Sequence, residues 1–151
     1  MFKFLRLIRF LKEVDGLAFK NRAKIKVKLC GETQYIKVRS EDGQSIEEEY
    51  YLVPIFHRTR RSGRSGDPIR KAIHEVRHRV QHHYPEIRLF TIEDKDLSND
   101  FRIFLQAHLQ PETAKKLTPR EVDAQIFDEL AYPVFLTKNT NEFLQLLFHG
   151  T

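Results

Sequence analysis

Residues 67–83 have the sequence DPIRKAIHEVRHRVQHH, and this stretch decides the fold. Asp67 can accept the free backbone N–H groups at a helix start, and Pro68 suits the first helical position because no hydrogen bond is lost there. Tyr84 precedes Pro85 and is biased away from helical dihedral angles, so the helix is expected to end near His83. One side of this helix is apolar and predicts a buried face, formed by Ala72, Ile73, Val76 and Val80.

The same helix carries an HExxH motif, which spans His74 to His78. Residues four apart lie about 40° apart around a helix axis and one turn along it, so both imidazoles can reach one metal ion. Two imidazoles and a carboxylate leave zinc an open position for water, from which Glu75 can take a proton as general base. The alternative is that both histidines are ordinary polar positions on a basic, solvent-facing helix. We favour the metal site, because the apolar face would bury this helix in a core.

The residues before this helix predict one helix and three strands. Residues 3–14 form an amphipathic helix ending at Asp15-Gly16, whose apolar positions are Phe4, Leu5, Ile8 and Leu11. The period changes to two after Ala23, where apolar residues alternate with lysines, and this pattern indicates strands. Three runs separated by turns, 23–29, 35–39 and 46–56, predict a three-stranded antiparallel meander.

The residues after it predict three more helices. One runs from about Ser98-Asn99 to Leu109 and is closed by Pro111. The next opens at Thr118, with Pro119 at its first position and Glu121 in the capping-box position. The last opens at Asn139 and places Phe143, Leu144, Leu147 and Phe148 on one face. The predicted class is therefore α+β.

These elements and motifs resemble the minimal zincin domain of metallopeptidases, and most closely the gluzincins of the ImmA/IrrE type. In that type the second metal-binding helix has a Glu-x-x-Ala pattern, followed by a polar residue and a Phe two residues later. Here Glu121 and Ala124 match the pattern, Gln125 the polar position and Phe127 the aromatic one. The resemblance covers about residues 23–132. It implies a zinc-dependent peptidase, with His74, His78 and Glu121 as ligands and Glu75 as general base.

Several residues compete for the roles that the resemblance assigns. A capping box favours Glu121 whether or not a metal is present, and the other possible third ligands are Asp123, Asp128 and Glu129. A donor for the oxyanion of the reaction is also expected. Its candidates are Tyr132, His149, His82 and Tyr84.

The sequence also gives expectations for four further positions near the motif. Arg77 and Arg79 stand where zincin motifs usually have uncharged residues, so the helix is expected to expose that flank. Gln81 lies about 20° from His74 around the helix and either binds substrate backbone or is an ordinary exposed glutamine. Gln125 stands in place of the more usual Asp or Asn, a type of residue that accepts the second N–H of a ligand histidine.

Length and composition limit the class of protein. A chain of 151 residues with 40% hydrophobic residues fits one domain spanning residues 1–151. The sequence has no apolar run long enough to cross a bilayer and no clear signal peptide, so we expect a cytoplasmic protein. Its single cysteine, Cys30, excludes an internal disulfide and a multi-cysteine zinc site.

The positive charge is concentrated in the middle of the chain. Residues 57–83 carry eight Lys or Arg against two Asp or Glu, within a net charge of +5. Residues 58–66 contain two glycines and no apolar residue, which predicts a mobile basic loop. Four arginines there could make weak contacts with nucleic acid, namely Arg58, Arg60, Arg61 and Arg64. The sequence thus leaves two hypotheses, a zinc peptidase acting on peptides or proteins, and a non-enzymatic nucleic-acid or protein binding module on an inactive zincin-like scaffold.

Overall fold

A computed structural model of the chain describes residues 2–57, 67–95, 97–108 and 118–149. The element order is α1 (Phe2–Ala18), β1 (Lys24–Gly31), β2 (Gln34–Arg39), β3 (Ile46–His57), α2 (Pro68–His83), α3 (Asn99–His108), α4 (Pro119–Leu136) and α5 (Thr140–Leu147). The predicted α+β class is confirmed at this level. The predicted loop at 58–66 and the predicted closure of α3 at Pro111 lie outside the described residues.

The sheet is mixed, so the prediction of an antiparallel meander is wrong. The strand order is β1-β3-β2, with β1 parallel and β2 antiparallel to β3. Hydrophobic burial explains why β3 is central: Tyr51 and Val53 are almost fully buried, whereas Val27 and Leu29 of β1 are 51% and 70% exposed. Leu52 is the last residue of β3 that pairs with β2, and Pro54 lies two residues further on. A position beyond this pairing suits proline, because proline has no backbone N–H to donate.

Helix α1 extends further than its sequence pattern predicts. It continues to Ala18 because Asp15 is buried and serves tertiary contacts instead of a helix stop. The Asp15 carboxylate accepts hydrogen bonds from the backbone N–H of Ala23 at 2.6 Å and from the hydroxyl of Tyr51 on β3 at 3.4 Å. The buried face of α1 also differs from the predicted one, since Leu5 is 56% exposed. The buried face of α1 is formed by Leu7, Phe10, Leu11 and Val14.

The predicted starts of three helices are confirmed by their caps. The Asp67 carboxylate accepts from the N–H of Ile69 at 2.9 Å, the Thr118 hydroxyl from Glu121 at 3.2 Å, and the Asn139 amide oxygen from Glu142 at 3.1 Å. These bonds satisfy N–H groups that a helix start leaves without intrahelical partners. The caps therefore fix where α2, α4 and α5 begin.

The chain divides into two compact units, Met1–Val76 and Arg77–Thr151. In the first, α1 contacts β3. In the second, α4 contacts α5, and the rings of Phe127 and Phe143 meet at a tilt of 69°. The single domain expected from chain length stays a prediction. Within the described ranges, no helix has the length and hydropathy needed to cross a bilayer.

Candidate metal centre

Two helices supply the side chains of the candidate site. His74 and His78 lie one turn apart on α2, and Glu121 lies in the first turn of α4. The unit boundary falls after Val76, inside α2, so continuous helix geometry relates His74 to His78. The cap by Thr118 in turn sets the position of Glu121.

Within the second unit the structure brings His78 and Glu121 together, with His78 Nε2 3.0 Å from Glu121 Oε1. Zinc bonds of about 2.0–2.1 Å at a tetrahedral angle separate two ligand atoms by about 3.3 Å. His74 lies one helical turn before His78 on α2 and is buried, while His78 and Glu121 are partly exposed. The donor types and spacing of His78 and Glu121 therefore fit two positions of a tetrahedral ion, and His74 is the candidate for a third.

The ring of His78 stands between two oxygen atoms. Its Nδ1 is 2.9 Å from Gln81 Oε1, and its Nε2 faces the Glu121 carboxylate. The Gln81 amide is oriented by its own nitrogen, which donates to the backbone oxygen of Arg120 at 2.9 Å and to Asp123 Oδ2 at 2.5 Å. The hydrogen of His78 therefore belongs on Nδ1, since that atom faces an acceptor. A cation, either a proton or a metal ion, is then needed between Nε2 and the carboxylate.

Glu75 lies next to His74 on α2 and is not one of the three candidate ligands. It is 7% exposed, and its Oε1 lies 3.5 Å from the ammonium nitrogen of Lys71, one turn earlier on the same helix. The carboxylate thus has a cationic neighbour of its own. The role of Glu75 as general base stays a prediction.

Among the alternative third ligands, Asp123 has a different role. It is fully buried and accepts two bonds from Arg77, at 2.7 and 2.9 Å, one from Gln81, and one from the N–H of Phe90 at 2.7 Å. Both of its oxygens are therefore committed to other donors. Asp128 and Glu129 lie about 10 and 12 Å further along the axis of α4 than Glu121. The geometry favours Glu121 over all three.

Arg77 and Arg79 are buried, so the expectation of an exposed flank is wrong. Their exposures are 0% and 1%. Arg77 pairs with Asp123, donates to the backbone oxygen of Leu147 at 2.7 Å, and lies over the rings of Phe90 and Phe127. A carboxylate, carbonyl oxygens and aromatic faces replace the lost hydration of the guanidinium. Neither arginine is available to grip a phosphate.

Of the two interpretations of Gln81, the exposed glutamine is wrong. It is 2% exposed, so it is not an ordinary exposed glutamine, and both ends of its amide are bound within the protein. The second ring nitrogen of His78 faces the amide oxygen of Gln81. The signal in the sequence was the spacing, since Gln81 lies three residues after His78 and so on the same helical face.

The four candidate oxyanion donors lie in different surroundings. His149 stacks on Phe90 with ring centroids 4.2 Å apart, and Tyr84 meets Phe148 edge to face. Tyr132 is 5% exposed on α4, and His82 meets the ring of His83 edge to face. None of these contacts selects a donor, so the assignment stays a prediction.

Comparison with protein-family models, with curated proteins and with solved structures found no match. The resemblance to gluzincins therefore depends on the HExxH and Glu121 motifs alone. The function has to be argued from the chemistry of the site.

Proposed function

We propose that this protein is a zinc-dependent peptidase. The observation that carries the proposal is the His78 ring, which has an acceptor at Nδ1 and a carboxylate oxygen 3.0 Å from Nε2, with His74 one helical turn away. This arrangement calls for a cation between Nε2 of His78 and the Glu121 carboxylate.

The types of ligand atom indicate which metal ion would bind. Two imidazole nitrogens and one carboxylate are ligands that zinc accepts, whereas calcium and magnesium prefer sets made of oxygen atoms. Three protein ligands are also the number found in catalytic zinc sites, which keep one position for water or substrate. His74, His78 and Glu121 would therefore hold the ion.

Glu75 supplies the proton transfer in this proposal. Bound zinc would lower the pKa of a water molecule and polarise the peptide carbonyl. Glu75 accepts a proton from water as the water oxygen bonds to the carbonyl carbon, and gives it to the amine nitrogen as the C–N bond breaks. The ion pair with Lys71, at 3.5 Å, keeps a cation beside the carboxylate.

The choice of a peptide as substrate has two supports. One is the resemblance of the α2 and α4 motifs to those of gluzincins. The other is β1, which among the described residues pairs with a strand on one side only, so its second edge can hydrogen-bond to an extended peptide.

The binding-module hypothesis is weaker. Burial of Arg77 and Arg79 removes two cations from any phosphate contact, and the four arginines of 58–66 lie outside the described residues. No feature of the described residues favours nucleic acid over a peptide.

Metal content tests the proposal directly. Protein purified without chelator, then analysed by elemental mass spectrometry and zinc titration, should contain or take up one zinc ion per chain. His78→Ala should lose that zinc, because it removes the ligand that faces Glu121. His57→Ala is the matched control: it also removes a partly buried imidazole, at the end of β3, and should keep the zinc.

Peptide hydrolysis is the second test of the proposed function. Cleavage of a mixed peptide library should stop on addition of a chelator and return with added zinc. A protein that contains no zinc and takes up none would contradict the proposed function. Equal zinc content in the His78→Ala variant would contradict the proposed ligand set.

A further inference from the structure

We infer that Gln81 is a positioning residue that holds the hydrogen of His78 on Nδ1, so that Nε2 carries no hydrogen, as a metal ligand requires. The inference rests on the proposed function, because it assigns Nε2 of His78 as the ligand atom. It gives Gln81 a role within the protein, in place of contact with the substrate.

The first step is the orientation of the Gln81 amide. Its nitrogen is 2.9 Å from the backbone oxygen of Arg120 and 2.5 Å from Asp123 Oδ2, and both are acceptors without a hydrogen to give. Rotating the amide by 180° would place its oxygen against those two oxygens. The amide oxygen therefore has to face His78.

The second step is the rigidity of this support. Asp123 is fully buried and is held by two bonds from the Arg77 guanidinium and one from the N–H of Phe90. Arg77 is itself fixed by the carbonyl of Leu147. Gln81 is thus anchored to a buried ion pair and cannot reorient on its own.

The third step is the effect on His78. A neutral imidazole carries one hydrogen, and the nitrogen without it is the metal ligand. An acceptor fixed 2.9 Å from Nδ1 stabilises the form in which the hydrogen is on that atom. Without this acceptor the hydrogen can occupy Nε2, in the place that the ion needs. Hydrogen bonds of this kind fix the tautomer and orientation of ligand histidines.

Zinc affinity is the first test. Gln81→Met keeps a side chain of similar length and removes both amide functions, so zinc affinity, measured by competition with a chromophoric chelator, should fall about 10- to 100-fold. Gln145→Met, the same change at an exposed position of α5, should bind zinc as the unaltered protein does. Circular dichroism would check that both variants fold. Equal affinity in a folded Gln81→Met variant would overturn the inference.

The tautomer of His78 is the second test, and it needs neither zinc nor activity. The Glu121 carboxylate, 3.0 Å from Nε2, would compete for the hydrogen in zinc-free protein, so the test uses Glu121→Ala. Long-range proton–nitrogen correlation spectra of histidine-labelled Glu121→Ala protein, recorded without zinc where the rings are neutral, should show the hydrogen on Nδ1. Adding Gln81→Met to this variant should shift the signal towards the Nε2–H form, which a loss of packing alone would not produce.

The two tests separate the two ideas. The Nδ1–H form in Glu121→Ala, together with no affinity of the unaltered protein for zinc, would contradict the proposed function and leave the role of Gln81 standing. An Nε2–H form of His78 in Glu121→Ala would overturn the inference even if Gln81→Met fails to fold.

Discussion

Glu121 and Asp123 are two carboxylates only two residues apart on α4, and their surroundings give them different roles. The Glu121 side chain is 42% exposed and faces a histidine nitrogen, whereas Asp123 is fully buried and receives four hydrogen bonds. A carboxylate whose oxygens are already saturated by donors cannot also bind a metal ion without losing them. The difference in hydrogen bonding thus makes one carboxylate a candidate ligand and the other a support.

Glu75→Gln should separate metal binding from catalysis. The amide keeps the shape of the side chain but has no basic oxygen to accept a proton, so zinc should remain bound while peptide hydrolysis falls at least about 100-fold. Zinc content and initial rates on the same peptide library would measure this. Glu86→Gln, an exposed position after α2, is the control and should retain both properties.

The outcomes of this experiment distinguish two roles for Glu75. Comparable hydrolysis in Glu75→Gln would remove Glu75 from the role of general base. Loss of zinc would instead identify it as a ligand or as a residue needed for the structure of α2.

The start of α4 links element stability to the candidate site. Thr118 accepts the N–H of Glu121, so one hydrogen bond both caps the helix and orders the residue that faces His78. The cap uses the backbone N–H of Glu121, so it is compatible with a side chain that faces His78. Fraying of the first turn of α4 would loosen the site.

Thr118→Ala should reduce the free energy of unfolding by about 1 kcal/mol, the usual cost of losing an N-cap. It should also weaken zinc binding, because Glu121 lies in the turn that frays. Denaturant unfolding of the zinc-free protein and zinc titration would measure the two effects. Thr137→Ala, which removes the hydroxyl bond to Val134 at the other end of α4, is the control and should leave zinc affinity unchanged. Unaltered zinc affinity in Thr118→Ala would show that the cap does not order Glu121.

The positive charge of the whole chain raises the question of nucleic-acid binding. Arg58, Arg60, Arg61 and Arg64 belong to a segment with eight basic residues against two acidic ones. Two other basic residues of that segment, Arg77 and Arg79, are buried. The count of eight basic residues therefore overstates what this segment can offer to a phosphate backbone.

We expect binding to duplex DNA that is weak, independent of base sequence and negligible at physiological salt. Four arginines that contact four phosphates give a log–log slope against salt no steeper than about −3.6. Fluorescence anisotropy at several salt concentrations would measure the slope. Replacing the four arginines with Ser should flatten it without changing zinc content. Sub-micromolar affinity at physiological salt would favour the binding-module hypothesis over the peptidase.

The amino-acid sequence by itself determined the features that depend on neighbouring residues. Asp67, Thr118 and Asn139 cap the helices that they were predicted to cap, because capping involves residues only two or three positions apart. The spacing of His74 and His78 likewise predicts that both side chains lie on one helical face, once the helix itself is predicted. The α+β class followed from the same local periodicities.

Only the tertiary structure decided which strand is central, which face of α1 is buried, and what Arg77 and Gln81 do. These outcomes depend on partners far away in the chain: Arg77 and Asp123 are 46 residues apart, and Gln81 and Asp123 are 42 apart. Local periodicity contains no information about such pairs, so a charged residue on α2 was expected to be exposed. The buried ion pair forms because α4 supplies a carboxylate that accepts two parallel hydrogen bonds from the guanidinium.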